Sequence, residues 1–444
     1  MTGMKKSELQ DVAQQTLEKV RARGVGDVCV VTDRSRSVTV TYRKGRPEKV
    51  QESAGRSLTL HLYLDGKYTV SDTNDLRPSE IDRFLDSSVA LCRAMSPDTY
   101  REIPDPALYQ GRRDLDLELL DPAVHTVTTE RRHEYAKALE QCARQEAGAN
   151  VVSVEASWND FLGEIYRVHS NGFEGYKCGS QFWGSAELSI GDEGGKKPSG
   201  SFYGGARHLG DLPSPEEVGR QAAKNALDRI GAKKISSERL PMIVQNRAVS
   251  GLLGQLLEAI TGRAVQQNRS FLSGTRGEMV GSSRLDLRDM PFLPKGFGSR
   301  LFDSEGIAAR EIPIILQGRL ENIYLDTYYA KKLGREPTSG SRSNLVLTPG
   351  SKSPDDLVSS LDRGILVRGF IGGNSNPTTG DFSMGVYGTL IENGAPAGAV
   401  AEMNIAGNHN ELWQRLVDVG NDPYPYSALV VPSIVFDDMQ FAGA

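Results

Sequence analysis

Residues 368–407 read RGFIGGNSNPTTGDFSMGVYGTLIENGAPAGAVAEMNIAG and hold nine glycines, about twice the density of a chain with 47 in 444. Apolar residues alternate in short runs between them, as at Met384/Val386 and Val400/Met403. Glycine admits positive φ and lets a second backbone come close, so this spacing predicts strands broken by bulges and tight turns. Two readings stay open on residue types. The glycines either turn the chain within a β-rich core, or leave strands bare so that another chain can lie against them. Either way, this part of the chain is β-dominated.

A chain of 444 residues exceeds one ordinary core, and about two to three domains are expected. Residues 5–23 repeat apolar positions at three and four (Leu9, Val12, Ala13, Thr16, Leu17, Val20), which predicts an amphipathic helix ended by Gly24 and Gly26. Strands are expected at 27–32, 37–43, 48–53 and 57–64, with Asp65-Gly66 as a hairpin turn. A helix over 78–95 carries Ile81, Phe84, Leu85, Val89 and Cys92 on one face. After a proline-rich connector, the same order returns: a helix at 129–145, then strands at 151–157, 164–170, 173–179 and 181–190. The hairpin Asn171-Gly172 lies among them, and a capped helix start follows at Ser214-Pro215-Glu216-Glu217. A strand at 240–245 and an apolar helix at 248–262 follow, and a short last helix is expected at 411–416. The expected fold class is α+β: helix–β-meander–helix units, then a Gly-rich, β-dominated C-terminal domain. The expected domains are 1–100, 120–232 and 238–444.

Charged residues at 25% and hydrophobic at 38% describe a soluble globular protein, and a net charge of −5 offers no bulk attraction for nucleic acid. No run approaches the ~18 apolar residues of a membrane span. The N-terminal lysines have no apolar stretch behind them, so no secretory signal is expected. Cys29, Cys92, Cys142 and Cys178 are far apart and form no CxxC pair, which fits a reducing cytoplasm.

Nucleotide and hydrolase signatures fail on inspection. Residues 191–197 (GDEGGKK) lack the spacing and the Ser/Thr of a phosphate loop, Gly296-Phe297-Gly298 lacks a third glycine, and no GxSxG occurs. A helical zinc site needs two histidines about one turn apart beside a carboxylate. His133-Glu134 begins that way, but Lys137 and Ala138 stand where a second ligand is needed. Between His208 and His409 there is neither histidine nor cysteine, so the C-terminal half lacks the usual imidazole and thiolate donors.

Five short segments are specific as a set: Arg368-Gly369-Phe370 with Gly372-Gly373-Asn374, Thr379-Gly380-Asp381-Phe382-Ser383, Ile391-Glu392-Asn393-Gly394, Ile405-Ala406-Gly407-Asn408, and Asp422-Pro423-Tyr424-Pro425-Tyr426 with Pro432-Ser433-Ile434. Together they resemble the TldD/PmbA family, and the last of them its PmbA (TldE) branch. The resemblance extends over nearly the whole chain and implies a peptidase system. TldD members carry HExxxH on a helix and a later cysteine, which together bind zinc. On the matching helix, Gln255 and Ile260 stand where the two histidines would be, and Leu256 stands in place of the glutamate base. Residues 420–423 correspond to the cysteine-bearing region and contain no thiol. A metal-activated water needs an ionic ligand set and a proton acceptor, and Gln–Leu–Ile offers neither.

The resemblance therefore implies a non-catalytic subunit with no cofactor of its own. Its expected partner is a TldD-like, zinc-bearing HExxxH chain, and the substrates are unfolded peptides. A homodimer is left open, and no nucleic acid or membrane partner is expected. Extended peptides bind by adding a strand through main-chain hydrogen bonds, which suits the glycine-rich strands. Phe370, Gly372, Gly373, Asn374, Thr379, Gly380 and Asp381 are the expected lining of the peptide cleft or subunit contact. Gln255, Leu256 and Ile260 are expected to mark a degenerate metal pocket. A stand-alone peptidase with an unrecognised site, and a regulatory binding protein of the gyrase-modulator type, are the alternatives.

Overall fold

The computed structural model describes residues 6–443, so Lys5, where the first helix is expected to begin, lies outside the described residues. The first unit comprises α1 (Lys6–Arg21), β1 (Asp27–Arg43), β2 (Arg46–Leu64), β3 (Lys67–Thr73) and α2 (Pro78–Ala94). The second comprises α3 (Thr129–Ala147), β4 (Val151–His169), β5 (Glu174–Ile190), β6 (Ser199–Ala206) and α4 (Pro215–Leu227). Both hairpin turns of the first unit, Lys44-Gly45 and Asp65-Gly66, have positive φ at both residues, as a two-residue connection between twisted strands requires. Ser214 Oγ accepts from Glu217 N at 3.1 Å and starts α4.

The strands are fewer and longer than the sequence suggests. Residues 33–36 (DRSR) and 54–56 (AGR) read as breaks, yet β1 and β2 run through them, paired residue for residue. Cross-strand ion pairs carry the first of these stretches: Arg36 reaches Glu52, and Arg34 reaches Glu164 on β4. Because β1 also pairs with β4 along its length, the strands of both units form one six-stranded sheet in the order β3-β2-β1-β4-β5-β6. Helices cover one face of that sheet. Val28 and Val30 at the start of β1 pack with α1 and α2, whereas Val40 and Tyr42 at its end pack with α3 and α4. The second of these cores holds a buried ion pair, in which Arg132 Nε donates to Asp160 at 2.6 Å and Trp158 Nε1 donates to the same carboxylate at 2.8 Å.

The remaining chain contributes β7 (Glu238–Val244), α5 (Asn246–Ala259), α6 (Gly262–Gln266), β8 (Leu287–Asp289), β9 (Ile312–Leu316), β10 (Arg319–Leu320), α7 (Thr327–Leu333), β11 (Leu345–Leu347) and α8 (Pro354–Ser359). It ends with β12 (Arg363–Ser375), β13 (Asp381–Glu392), β14 (Ala395–Asn408), α9 (His409–Leu412), β15 (Leu416–Val419), β16 (Leu429–Val430) and β17 (Ile434–Ala442). The last helix thus begins two residues earlier than expected and is shorter. Six strands form a sheet in the order β14-β13-β12-β7-β17-β15, and a β14–β17 pairing brings this sheet round on itself. Short strands β8–β11 and β16 make a third sheet. The fold class is α+β, with a β-rich C-terminal region. Helix α5 anchors the largest core: Val249, Leu252, Leu253, Leu256, Leu257 and Ile260 are all buried against β7, β12 and their neighbours. Among the described residues, no helix is long and apolar enough to cross a membrane.

Candidate functional site

Strand β12 is unequally partnered. It pairs with β13 to its end at Ser375, but with β7 only over residues 365–367. Strand β7 stops at Val244, and Gln245 N donates to Val367 O at 3.0 Å as the chain turns into α5. From 368 to 375, therefore, one edge of β12 has no strand beside it. Helix α5 lies next to this edge, with the Phe370 ring over Gly251. A Cβ on Gly251 would stand 2.8 Å from Phe370 Cδ2, so this position must stay bare for the strand and helix to meet.

The edge then bulges. Ile371 lies opposite Gly385 and Asn374 opposite Ser383, so Gly372 and Gly373 share Met384 as their counterpart. Their φ values of +61° and +138° strain any residue with a Cβ. Ile371 is 48% exposed and residues 372–374 are exposed. Phe370, Gly372, Gly373 and Asn374 are thus brought together along an open, kinked edge with its backbone accessible.

Thr379, Gly380 and Asp381 sit elsewhere, in the turn that joins β12 to β13, and their polar groups are engaged. Thr379 Oγ1 donates to Asp381 at 2.7 Å, while Asn408 Nδ2 donates to Thr379 O at 2.8 Å and to Asp381 Oδ1 at 2.9 Å. The Thr379 hydroxyl first, and Asn408 second, hold the Asp381 carboxyl below its ordinary value. This turn is tied down by hydrogen bonds from Phe271, Asn408 and His409, whereas no strand pairs with the neighbouring edge.

Helix α5 separates the three positions expected to mark a metal pocket. Leu256 and Ile260 point into the core and are fully buried, while Gln255 lies on the outer side with the exposed Gly251, Gly254 and Glu258. The reason is geometric: Ile260 caps the end of α5, five positions past Gln255, and five residues of α-helix turn through about 140° from a multiple of the repeat, so the two face different ways. The 420–423 loop does lie beside this helix, since Asn246 Nδ2 donates to Asp422 O at 2.8 Å. Its one carboxylate is taken by Ser433, whose N and Oγ donate to it at 2.9 and 2.8 Å. Among the described residues, no three His, Cys, Asp or Glu side chains converge in a way that could hold a metal ion. A zinc ion does not fit here, because an amide and two buried aliphatic chains supply no anionic donor.

A second gathering of chemistry could not be read from sequence. The face of the first sheet turned away from its helices brings Cys29, His61, Arg167 and His169 together across β1, β2 and β4. Loops of the C-terminal region close over them with Glu305 and Asp326. The only sequence signal is the parity of these residues within their strands.

Comparison with known proteins gives a consistent result. The family model described as the PmbA/TldA metallopeptidase C-terminal domain matches residues 237–443, and the one described as its central domain matches residues 123–230. Metalloprotease PmbA of Escherichia coli O157:H7 is 29% identical over 439 residues, covering 98% of this chain and 96% of that protein. The crystal structure of a Bacteroides thetaiotaomicron protein described as a candidate modulator of DNA gyrase superposes with a TM-score of 0.96 at 36% identity, over 99% of this chain and 100% of that one. TldE from Thermococcus kodakarensis has the same fold, with a TM-score of 0.88 at 22% identity over 97% of this chain and 100% of that one.

Proposed function

The chain belongs to the PmbA/TldD metallopeptidase family, and from that premise we propose that it is the metal-free, TldE-type subunit of a two-chain protease acting on unfolded peptides. The observation that carries this reading is the donor set on α5: where a zinc-binding relative needs two imidazoles and a carboxylate, this helix has Gln255, Leu256 and Ile260, two of them fully buried in the core. Zinc and the activated water then belong to a TldD-like HExxxH partner. This chain's share is to bind and align the peptide. An extended substrate adds to the free edge of β12 through backbone hydrogen bonds available to any sequence, and Gly372 and Gly373 let it come close without a side chain in the way. The word metalloprotease in the Escherichia coli relative's name describes that protein. Regulation of gyrase by direct DNA contact gains nothing from a chain of net charge −5.

Co-expression of the chain with an HExxxH relative from the same genome tests the proposal. Copurification is expected, with zinc and cleavage of an unfolded peptide present in the pair and missing from this chain alone. Stoichiometric zinc and peptide hydrolysis by the isolated chain would refute it. A self-association that excludes the relative would assign the chain to a homodimer instead.

A further inference from the structure

Between the helix-free face of the first sheet and the loops of the C-terminal region lies a cavity of about 240 Å³. Strand register places its floor. Cys29 on β1 is paired with His61 on β2 and with His169 on β4, so the three side chains form a row across adjacent strands. Arg167, two residues before His169, points to the same side and donates from Nη1 to Cys29 Sγ at 3.1 Å. Arg101 comes from the connector, its guanidinium 3.4 Å from the Tyr328 ring centroid and 4.8 Å from that of Tyr68. The opposite wall is acidic: Glu305 accepts from Thr327 N at 2.9 Å and from Thr327 Oγ1 at 2.7 Å, and Asp326 lies beside it.

Three features distinguish this cavity from an ordinary wet interface. Neither Arg101 nor Arg167 forms an ion pair among the described residues, although both are half-buried. The one partner of Arg167 in the cavity is a thiol that burial keeps protonated. Finally, His169 is 2% exposed, and its Nε2 has no hydrogen-bond partner. Tyr109 has the carbonyl oxygens of Pro104 (2.9 Å) and Asn171 (3.2 Å) to donate to, so its oxygen accepts from His169 Nδ1–H at 2.9 Å. That leaves Nε2 as a bare lone pair in need of a donor. The cavity thus holds two guanidinium forks with no carboxylate in direct contact, although Arg101 lies close enough to Asp326 to favour its ionised form, and an imidazole nitrogen without a partner.

We propose that this cavity binds a small zwitterion, its carboxylate held by Arg101 and Arg167 and its ammonium group turned to Glu305, Asp326 and His169. Burial raises the Glu305 carboxyl to about 7 and raises that of Asp326 as well, so a cation beside them favours their ionised forms whereas a phosphate would oppose them, and a simple amine would leave both arginines without a carboxylate. A free amino acid and a short peptide share the required chemistry. The site is distinct from the β12 edge and does not depend on the subunit proposal.

Calorimetric titration of the full chain with L-alanine, with L-alanyl-L-alanine, and with acetate, methylamine and inorganic phosphate tests the assignment. Saturable binding of at least one zwitterion is expected, weakened about tenfold or more by Arg167→Met, by Glu305→Gln and by Arg101→Gln. Arg101 is the safer of the two arginines to replace, because it lies on the connector rather than in the sheet. Binding of alanine alone identifies a free amino acid, and binding of the dipeptide alone identifies a peptide end. No saturable binding of either, phosphate binding tighter than both, or zwitterion binding that all folded variants retain would overturn the proposal and leave the cavity to water.

Discussion

Leu256→Glu restores one of the groups that a zinc-bearing relative would carry on α5, and the structure says it will damage the fold rather than build a site. Leu256 is 0% exposed in the largest core. Losing the burial of a leucine side chain costs about 2–3 kcal/mol. A carboxyl in that environment has its pKa raised by about 3–5 units above an ordinary value near 4.3, because desolvation penalises the charged form. The unfolded chain keeps the ordinary value, so the penalty is absent below about pH 4.3 and grows by about 1.4 kcal/mol per unit as the pH rises, until the folded pKa is passed. At pH 7 it reaches about 4 kcal/mol, and the total deficit is about 6 kcal/mol, a large part of the ~5–15 kcal/mol that holds most domains together. Urea unfolding followed by circular dichroism at pH 7 and pH 5 measures this. The deficit should shrink by about 2–3 kcal/mol at the lower pH, while Gln255→His on the outer side should stay within about 0.5 kcal/mol of the parent. Adding Ile260→His should deepen the loss at pH 7. If Leu256→Glu unfolds within about 1 kcal/mol of the parent at pH 7, or its deficit grows on acidification, then this face of α5 does not line a core. The argument against a metal there would fail with it.

Other substitutions probe the frame around the site. A Cβ at Gly388 would overlap the Leu366 carbonyl oxygen on the neighbouring strand, whereas one at Gly398 meets nothing within 4 Å. Thermal unfolding should show Gly388→Ala losing about 3 kcal/mol or more, and Gly398→Ala nearly unchanged. Asp160→Ala strands the buried Arg132 guanidinium and the Trp158 N–H, and chemical denaturation should record a loss of about 3–5 kcal/mol. His409 is fully buried among Phe271, Phe382 and Trp413, and burial lowers its pKa to about 4. Since the unfolded value is near 6.5, the part of the stability that His409 controls should be intact above that pH and fall by up to about 3 kcal/mol as the pH drops towards 4, beside the losses from the buried His61 and His169. A His409→Phe chain that shows the same fall between pH 6.5 and 4 would locate the acid sensitivity elsewhere.

Some features of the fold were legible because they are local. The three-and-four spacing of Leu9, Ala13, Leu17 and Val20 predicts a helix whose buried face consists of those residues. Asp65-Gly66 and Asn171-Gly172 predict hairpins, and Asp65, Gly66 and Gly172 take up the positive φ that few residue types tolerate. The six-residue α8 is too short to show apolar periodicity, although Ser353-Pro354-Asp355-Asp356 spells its capping box. The strand through 33–36 was hidden because its charged residues are stabilised by partners on other strands, and the one through 54–56 because its pairing with β1 leaves no local mark. At the candidate site, the glycines of 368–407 pointed to Phe370–Asn374, but grouped them with Thr379–Asp381, which hydrogen bonds from Asn408 draw into a closed turn.

The chemistry missing from positions 255, 256 and 260 is written in the residues themselves. A side chain without an imidazole, thiolate or carboxylate stays without one in any fold, so Gln255, Leu256 and Ile260 offer zinc none of its usual donors. Tertiary structure alone decided that two helix–meander–helix units share one sheet, that β12 is left with a free edge beyond Val367, and that Cys29, Arg101, Arg167, His169 and Glu305 surround one cavity. Those outcomes depend on which strands find each other across more than a hundred residues. That choice is made by the summed burial and hydrogen bonding of whole faces, so no short stretch of sequence records it.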